Sequence, residues 1–246
     1  MSWTEYASVL LDLDGVITPT AEVHMRAWSE MFNDFLAAPG APGGGDRSPY
    51  TDGDYYAHVD GKPRYDGVRD FLASRGIDLP EGDPADGPDA LTVCGLGNRK
   101  NDAFNAVLAR DGVTAFPGSV RLLDHLRDLG LPLAVVSSSA NAPAVLEAAG
   151  LLDRFGTVVS GAVATAEGLA GKPEPDTFVH AARAVGADVP GSVVIEDAVS
   201  GVRAGAAGGF GLVIGVDRGA GAQPLREAGA HLVVQDLDEL VPEEAP

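Results

Sequence analysis

An apolar run, Ser8-Val9-Leu10-Leu11, passes directly into Asp12-Leu13-Asp14-Gly15 and sets two carboxylates at i and i+2. In an extended strand such side chains leave on the same side. Two like charges about 4 Å apart repel by about 4 kcal/mol at an effective dielectric near 20. Either a positive group sits against them or the chain turns and carries Asp14 away. Further along, Ser137-Ser138-Ser139 ends another apolar run, Lys172 stands in Gly-Lys-Pro-Glu-Pro-Asp (171–176), and Val193-Val194-Ile195 runs into Glu196-Asp197.

Gathered in one crevice, Asp12, Asp14, Glu196 and Asp197 require a hard divalent cation with oxygen ligands and retained waters, a description that fits Mg²⁺. Lys172 offers a fixed positive charge. Ser137 and its neighbours offer hydroxyl and backbone N–H donors at a strand-to-helix junction, a place suited to an anion. A carboxylate ringed by metal, lysine and hydroxyl donors describes phosphoryl transfer. Asp12 is then the nucleophile that becomes an aspartyl phosphate. Asp14, beyond the strand's end, protonates the leaving oxygen and later deprotonates the attacking hydroxyl.

The elements that must position these residues follow from hydrophobic period. Apolar runs at 8–13, 131–137, 157–161, 192–197, 212–216 and 231–234 read as buried strands. Helical patterns occupy 21–37, 63–76, 98–112, 118–130, 141–155, 175–186 and 200–209. Val, Leu and Ile strands alternating with helices predict an α/β fold, a doubly wound parallel sheet of Rossmann-like type. In such sheets ligands bind beyond the carboxyl ends of the strands, where Asp12, Ser137 and Glu196 all fall. Residues 20–113 break the alternation. They are helix-rich and carry two Gly/Pro-rich stretches, 37–49 and 78–90, that read as surface loops. This predicts a core domain of 1–19 and 114–246 with a helical cap domain, 20–113, inserted after the first strand.

With 36 acidic against 17 basic residues the formal net charge is −19, so nucleic acid and anionic membrane are repelled as partners. One cysteine, Cys94, excludes an intramolecular disulfide and a thiolate metal cluster. No apolar stretch reaches the 18 or so residues of a membrane span and no basic leader precedes the first strand, which predicts a cytoplasmic protein.

In order along the chain, DLDGV (12–16), VVSSS (135–139), GKPEPD (171–176) and IEDAVSG (195–201) resemble the four motifs of the haloacid dehalogenase superfamily. The resemblance spans essentially the whole chain. It implies Asp12 as nucleophile, Asp14 as general acid/base, and Ser137 and Lys172 as phosphoryl-binding groups. Mg²⁺ would be held by Asp12, by Asp14 through its backbone carbonyl and by Asp197, with Glu196 in support. Segments of the cap resemble the β-phosphoglucomutase-like subgroup: TAEVHMRAW (20–28), DGKPR (60–64) and NRKND (98–102). That likeness implies a hinge at Thr20 holding the acid/base out of line and a role for His24 in coupling cap closure to catalysis. Arg64 would bind the far phosphate of a bisphosphate, Lys100 the sugar, and the SSSAN loop, with Ser138, Ser139 and Asn141, would contact substrate. His24 with Trp28 at i+4 fits a packed pair equally well. Pro19 stands where the subgroup has an acid and Ala140 where it has a lysine.

The function implied is a monomeric Mg²⁺-dependent enzyme acting on a small-molecule sugar phosphate through an aspartyl phosphate. It would interconvert β-glucose 1-phosphate and glucose 6-phosphate, with hydrolysis of small sugar phosphates as the alternative.

Overall fold

The computed structural model describes residues 2–40 and 42–242. Its centre is a six-stranded sheet: β1 (Ser8–Leu11), β2 (Leu133–Val136), β3 (Thr157–Val159), β4 (Ser192–Glu196), β5 (Leu212–Val216) and β6 (Leu232–Val234). The strand order is β3-β2-β1-β4-β5-β6, and every pairing is parallel. Leu10 lies in register with Ala134 on one side and Val194 on the other. Strands β1, β2 and β4 are buried at every position, the reason they read as unbroken apolar runs rather than alternating ones.

The helices are α1 (Thr20–Ala37), α2 (Asp52–Asp54), α3 (Arg64–Ser74), α4 (Val93–Asp111), α5 (Pro117–Asp128), α6 (Ala142–Ala148), α7 (Gly161–Glu167), α8 (Asp176–Ala184), α9 (Val199–Gly208) and α10 (Ala222–Glu227). Several boundaries differ from the sequence expectation for local reasons. Helix α4 begins five residues before 98, because the Thr92 hydroxyl accepts the Gly95 N–H and caps it there. The helix expected over 141–155 stops at Ala148, and Gly150 follows at φ +67°. Helices α7 and α10 escaped the sequence reading, since GAVATAE and AQPLRE carry almost no apolar stripe. Among the described residues no helix is long and apolar enough to cross a membrane.

Two compact units result: the residues up to Thr20 with those from Val113 onward, and Ala21–Gly112. In the first, Leu10, Val136, Val159, Phe178, Val194, Val202 and Val213 form a core around the sheet. The second has its own aromatic core, in which Phe32 stacks near Trp28, Tyr50 and Phe71.

Candidate active site

The sheet order puts the ends of β2, β1 and β4 side by side, and one ammonium group ties them together. Lys172 Nζ donates to Asp12 Oδ1 at 2.5 Å, to Glu196 Oε1 at 2.5 Å and to the Val136 carbonyl at 3.0 Å. All three protons of the ammonium are thereby used, and each acceptor belongs to a different strand end. Phe178 floors the group, with Lys172 Nζ 5.1 Å from its ring centroid. Lys172 and Glu196 are both buried, as is Asp12, whose backbone N–H remains bonded to Ile195 at 2.9 Å. Glu196 spends its other oxygen on the Ala198 N–H at 2.8 Å. Helix α9 presses directly on this carboxylate: a Cβ on Gly201 would fall 1.7 Å from Glu196 Oε1.

Asp14 takes the second of the two courses open to the sequence. Strand β1 ends at Leu11, and Leu13–Thr18 closes a tight turn through Gly15 N–H to the Thr18 carbonyl and Thr18 N–H to the Leu13 carbonyl. The Asp14 carboxylate accepts from Thr20 Oγ1 at 2.5 Å and from Ser137 Oγ at 3.2 Å. Thr20 also meets the Thr18 hydroxyl at 2.7 Å. Gly15, at φ +88°, leaves room for Asp197, whose Oδ2 would lie 1.9 Å from any Cβ placed there. The repulsion between Asp12 and Asp14 is thus relieved by two means, a lysine on the first and a turn that hands the second to hydroxyl groups.

The 137–141 loop is built from its own hydroxyl groups. Ser137 Oγ accepts the Ser139 N–H at 3.0 Å, and Ser139 Oγ accepts the Asn141 N–H at 3.2 Å. Ser138 is half-buried on the same loop, and its carbonyl lies where a Cβ on Gly161 would be at 2.4 Å.

Carboxylate oxygens of Asp12, Glu196 and Asp197 lie within 4.8 Å of one another. Burial pushes the Asp12 carboxyl well above the usual carboxylate range; Lys172 opposes the rise, and Glu196 and Asp14 add to it. For Lys172 burial works against the charge, but Asp12 and Glu196 outweigh it and hold the ammonium above its ordinary value. Beyond burial, Glu196 raises both groups, and with Asp12, Glu196 and Asp197 grouped beside one lysine the cluster favours a further positive charge. An all-oxygen donor set of this kind fits a hard divalent cation. The side chain of Asp14 is not in that group, and the part expected of it was through its backbone carbonyl.

The second unit brings together two of the cap residues named from the sequence. Lys100 Nζ meets His24 Nδ1, so the imidazole presents that nitrogen as an acceptor. His24 stacks on Phe104 at 4.0 Å between ring centroids, nearly parallel, and Lys100 Nζ lies 5.0 Å from the Trp28 ring centroid. His24 is thus packed on Phe104 and bonded to Lys100. Arg64 starts α3, with its guanidinium carbon 4.9 Å from the Tyr65 ring centroid.

Sequence reasoning missed Arg218. Its Nε donates to the Gly15 carbonyl at 3.1 Å, its Nη1 to the Gln235 carbonyl at 2.9 Å, and its guanidinium lies over Phe116 at 4.0 Å. The signal was present, since Asp217-Arg218 follows β5 at the same edge of the sheet as the three strand ends already chosen.

Residues 6–209 match the haloacid dehalogenase-like hydrolase family. The chain is 48% identical to the β-phosphoglucomutases of Mycobacterium tuberculosis and Mycobacterium bovis, over 94% of its own length and 90% of theirs. In fold it resembles a hydrolase from Pseudomonas syringae (TM-score 0.77, 22% identity, 96% of each chain). It also resembles a β-phosphoglucomutase from Clostridium difficile (TM-score 0.75, 21% identity, 96% of this chain and 93% of that one). With a parallel sheet whose strand ends gather Asp12, Ser137, Lys172, Glu196 and Asp197, and with a family match over most of its length, the chain belongs to the haloacid dehalogenase-like hydrolases.

Proposed function

We propose that the protein is a Mg²⁺-dependent β-phosphoglucomutase that interconverts β-glucose 1-phosphate and glucose 6-phosphate through an aspartyl phosphate on Asp12. The observation that carries the reading is the division between the two aspartates of one motif. Asp12 is clamped by Lys172 at 2.5 Å, while Asp14 is held by the hydroxyl groups of Thr20 and Ser137. A nucleophile needs a fixed carboxylate beside positive charge, and a general acid needs a carboxyl that can exchange a proton with an oxygen it faces.

Bound at Asp12, Glu196 and Asp197, with the Asp14 backbone carbonyl, Mg²⁺ would neutralise phosphate charge and draw Asp12 into its ionised form. A carboxylate oxygen of Asp12 attacks phosphorus and forms the acyl phosphate bond as the bond from phosphorus to the sugar oxygen breaks. Asp14 gives that oxygen its proton. In the return step the free 6-hydroxyl of a β-glucose 1-phosphate attacks phosphorus, Asp14 takes its proton and the bond to Asp12 breaks. The bisphosphate so formed turns to offer its other phosphate to Asp12, and glucose 6-phosphate leaves when that phosphoryl is taken. Lys172 and the Ser137 loop neutralise and orient the phosphoryl oxygens.

In this reading the unit Ala21–Gly112 serves as a cap that keeps water from the acyl phosphate. His24 helps couple its closure to catalysis, Lys100 binds the sugar, Arg64 binds the second phosphate of the bisphosphate intermediate, and Ser138, Ser139 and Asn141 contact substrate. The sugar itself is inferred from the near-full-length likeness to two named β-phosphoglucomutases.

The test supplies β-glucose 1-phosphate, Mg²⁺ and a trace of the 1,6-bisphosphate, and follows glucose 6-phosphate and inorganic phosphate separately. Glucose 6-phosphate should accumulate with little free phosphate. Phosphate released in step with substrate loss would make the protein a sugar phosphatase instead.

A further inference from the structure

Segment 78–90 is long, rich in Gly and Pro, and has no part in the chemistry above. Its contacts lead to Arg64. We propose that Tyr65 and Asn98 are positioning residues for the Arg64 guanidinium and that segment 78–90 anchors them, so that this loop serves recognition of a sugar bisphosphate's second phosphate. The inference rests on the role given to Arg64 above.

The connections run in one direction. The Asn98 side-chain amide donates to the carbonyls of Pro84 at 3.1 Å and Asp86 at 2.8 Å. Both its protons are then committed to the loop, and Oδ1 is left facing Tyr65. That oxygen accepts the Tyr65 hydroxyl proton at 2.9 Å. Having given away its only proton, the hydroxyl presents lone pairs, and Arg64 Nη2 donates to it at 3.4 Å while the guanidinium lies over the same ring. Each donor and acceptor is therefore assigned by its neighbour, and reversing any link would set two donors or two acceptors face to face.

The anchor is itself braced. Asp86 accepts from the Thr92 hydroxyl at 2.7 Å and from the Asp83 N–H at 3.1 Å, and Arg99 Nε donates to the Pro88 carbonyl at 2.8 Å. Helix α4 closes the other side. A Cβ on Gly97 would lie 2.8 Å from Tyr65 Cδ1 and 3.2 Å from Arg64 Cγ, so bare backbone packs against the ring and against the arginine stem. A free arginine samples many rotamers, and ordering it is part of the free energy of binding a phosphate. Stacking and a directed hydrogen bond settle that order in advance.

The experiment compares Arg64→Ala, Tyr65→Phe, Asn98→Ala and the double variant Arg64→Ala/Tyr65→Phe. For each, the bisphosphate concentration giving half-maximal mutase activity, kcat and the thermal unfolding midpoint are measured. Tyr65→Phe keeps the ring and its packing and removes one oxygen, so it folds even if Asn98→Ala loosens the loop. Tyr65→Phe and Asn98→Ala should each raise the half-saturating bisphosphate concentration by about threefold to tenfold, with kcat within about twofold. Tyr65→Phe should add nothing in the Arg64→Ala background, because its effect passes through the arginine. If Arg64→Ala raises that concentration while Tyr65→Phe and Asn98→Ala do not, the positioning role is overturned and the role of Arg64 stands. If Arg64→Ala leaves it unchanged, the role of Arg64 falls and the inference falls with it.

Discussion

Asp12→Asn should abolish phosphoryl transfer, lowering kcat/KM by about 10⁴-fold or more, since the bond-forming oxygen is lost. The same change should stabilise the metal-free protein. An acid whose folded pKa lies above its unfolded value loses stability as pH rises through the unfolded value. Above the unfolded value, burial of Asp12 therefore works against folding. Asparagine keeps the shape and removes the charge, and it also relieves the repulsion from Asp14 and Glu196. Lys172 keeps Glu196 as its partner, at 2.5 Å. Paired assays of turnover and thermal unfolding check both halves. An Asp12→Asn variant that turns over normally would contradict the nucleophile assignment, and one that unfolds at a lower temperature would contradict the electrostatic account.

Lys172→Met should be the opposite case, losing stability and activity together. Methionine retains an unbranched stem, yet Asp12 and Glu196, both buried, would face each other without the cation that joins them. Breaking a buried ion pair by removing one partner destabilises by about 3–5 kcal/mol. The Val136 carbonyl would lose its donor as well. Loss of positive charge at the phosphoryl group should lower turnover by about 10³-fold or more. Denaturant unfolding and kcat measured on the same preparation test this, and a variant with wild-type stability would show that the ammonium is not what holds the three strand ends. A divalent cation should recover part of the lost stability, because it neutralises the same acids.

The parts of this site that lie on strands were legible from the sequence, and the reason is topological. A parallel sheet places all its carboxyl ends on one edge, so finding Asp12, Ser137 and Glu196 each at the end of an apolar run was enough to bring them together. Lys172 was not legible in this way. It lies on a loop between α7 and α8, where nothing in the local pattern says which way a side chain reaches; the need of the paired acids for a positive charge and the order of the motifs pointed to it. The i, i+2 spacing of Asp12 and Asp14 left two geometries open, and it was the turn at Gly15, beyond β1, that selected one. Thr18 joined the site unannounced, its hydroxyl meeting that of Thr20, which donates to Asp14. Arg218 was overlooked since a lone arginine after a strand usually means a solvated surface charge, and its bond to the Gly15 carbonyl depends on a chain separation of 203 residues. The same holds for Tyr65 and Asn98, whose pairing across 33 residues has no signature in either stretch.

The measurement closest to the central claim is chemical capture of the covalent intermediate. Protein mixed with the 1,6-bisphosphate and Mg²⁺, quenched within one turnover and reduced with borohydride, should yield homoserine at position 12 on peptide mapping, because hydride cleaves an acyl phosphate and leaves an unmodified aspartate intact. Homoserine at position 12, absent without bisphosphate, is the expected result. An unmodified Asp12 under conditions that support full turnover, or capture at any other carboxylate, would contradict it.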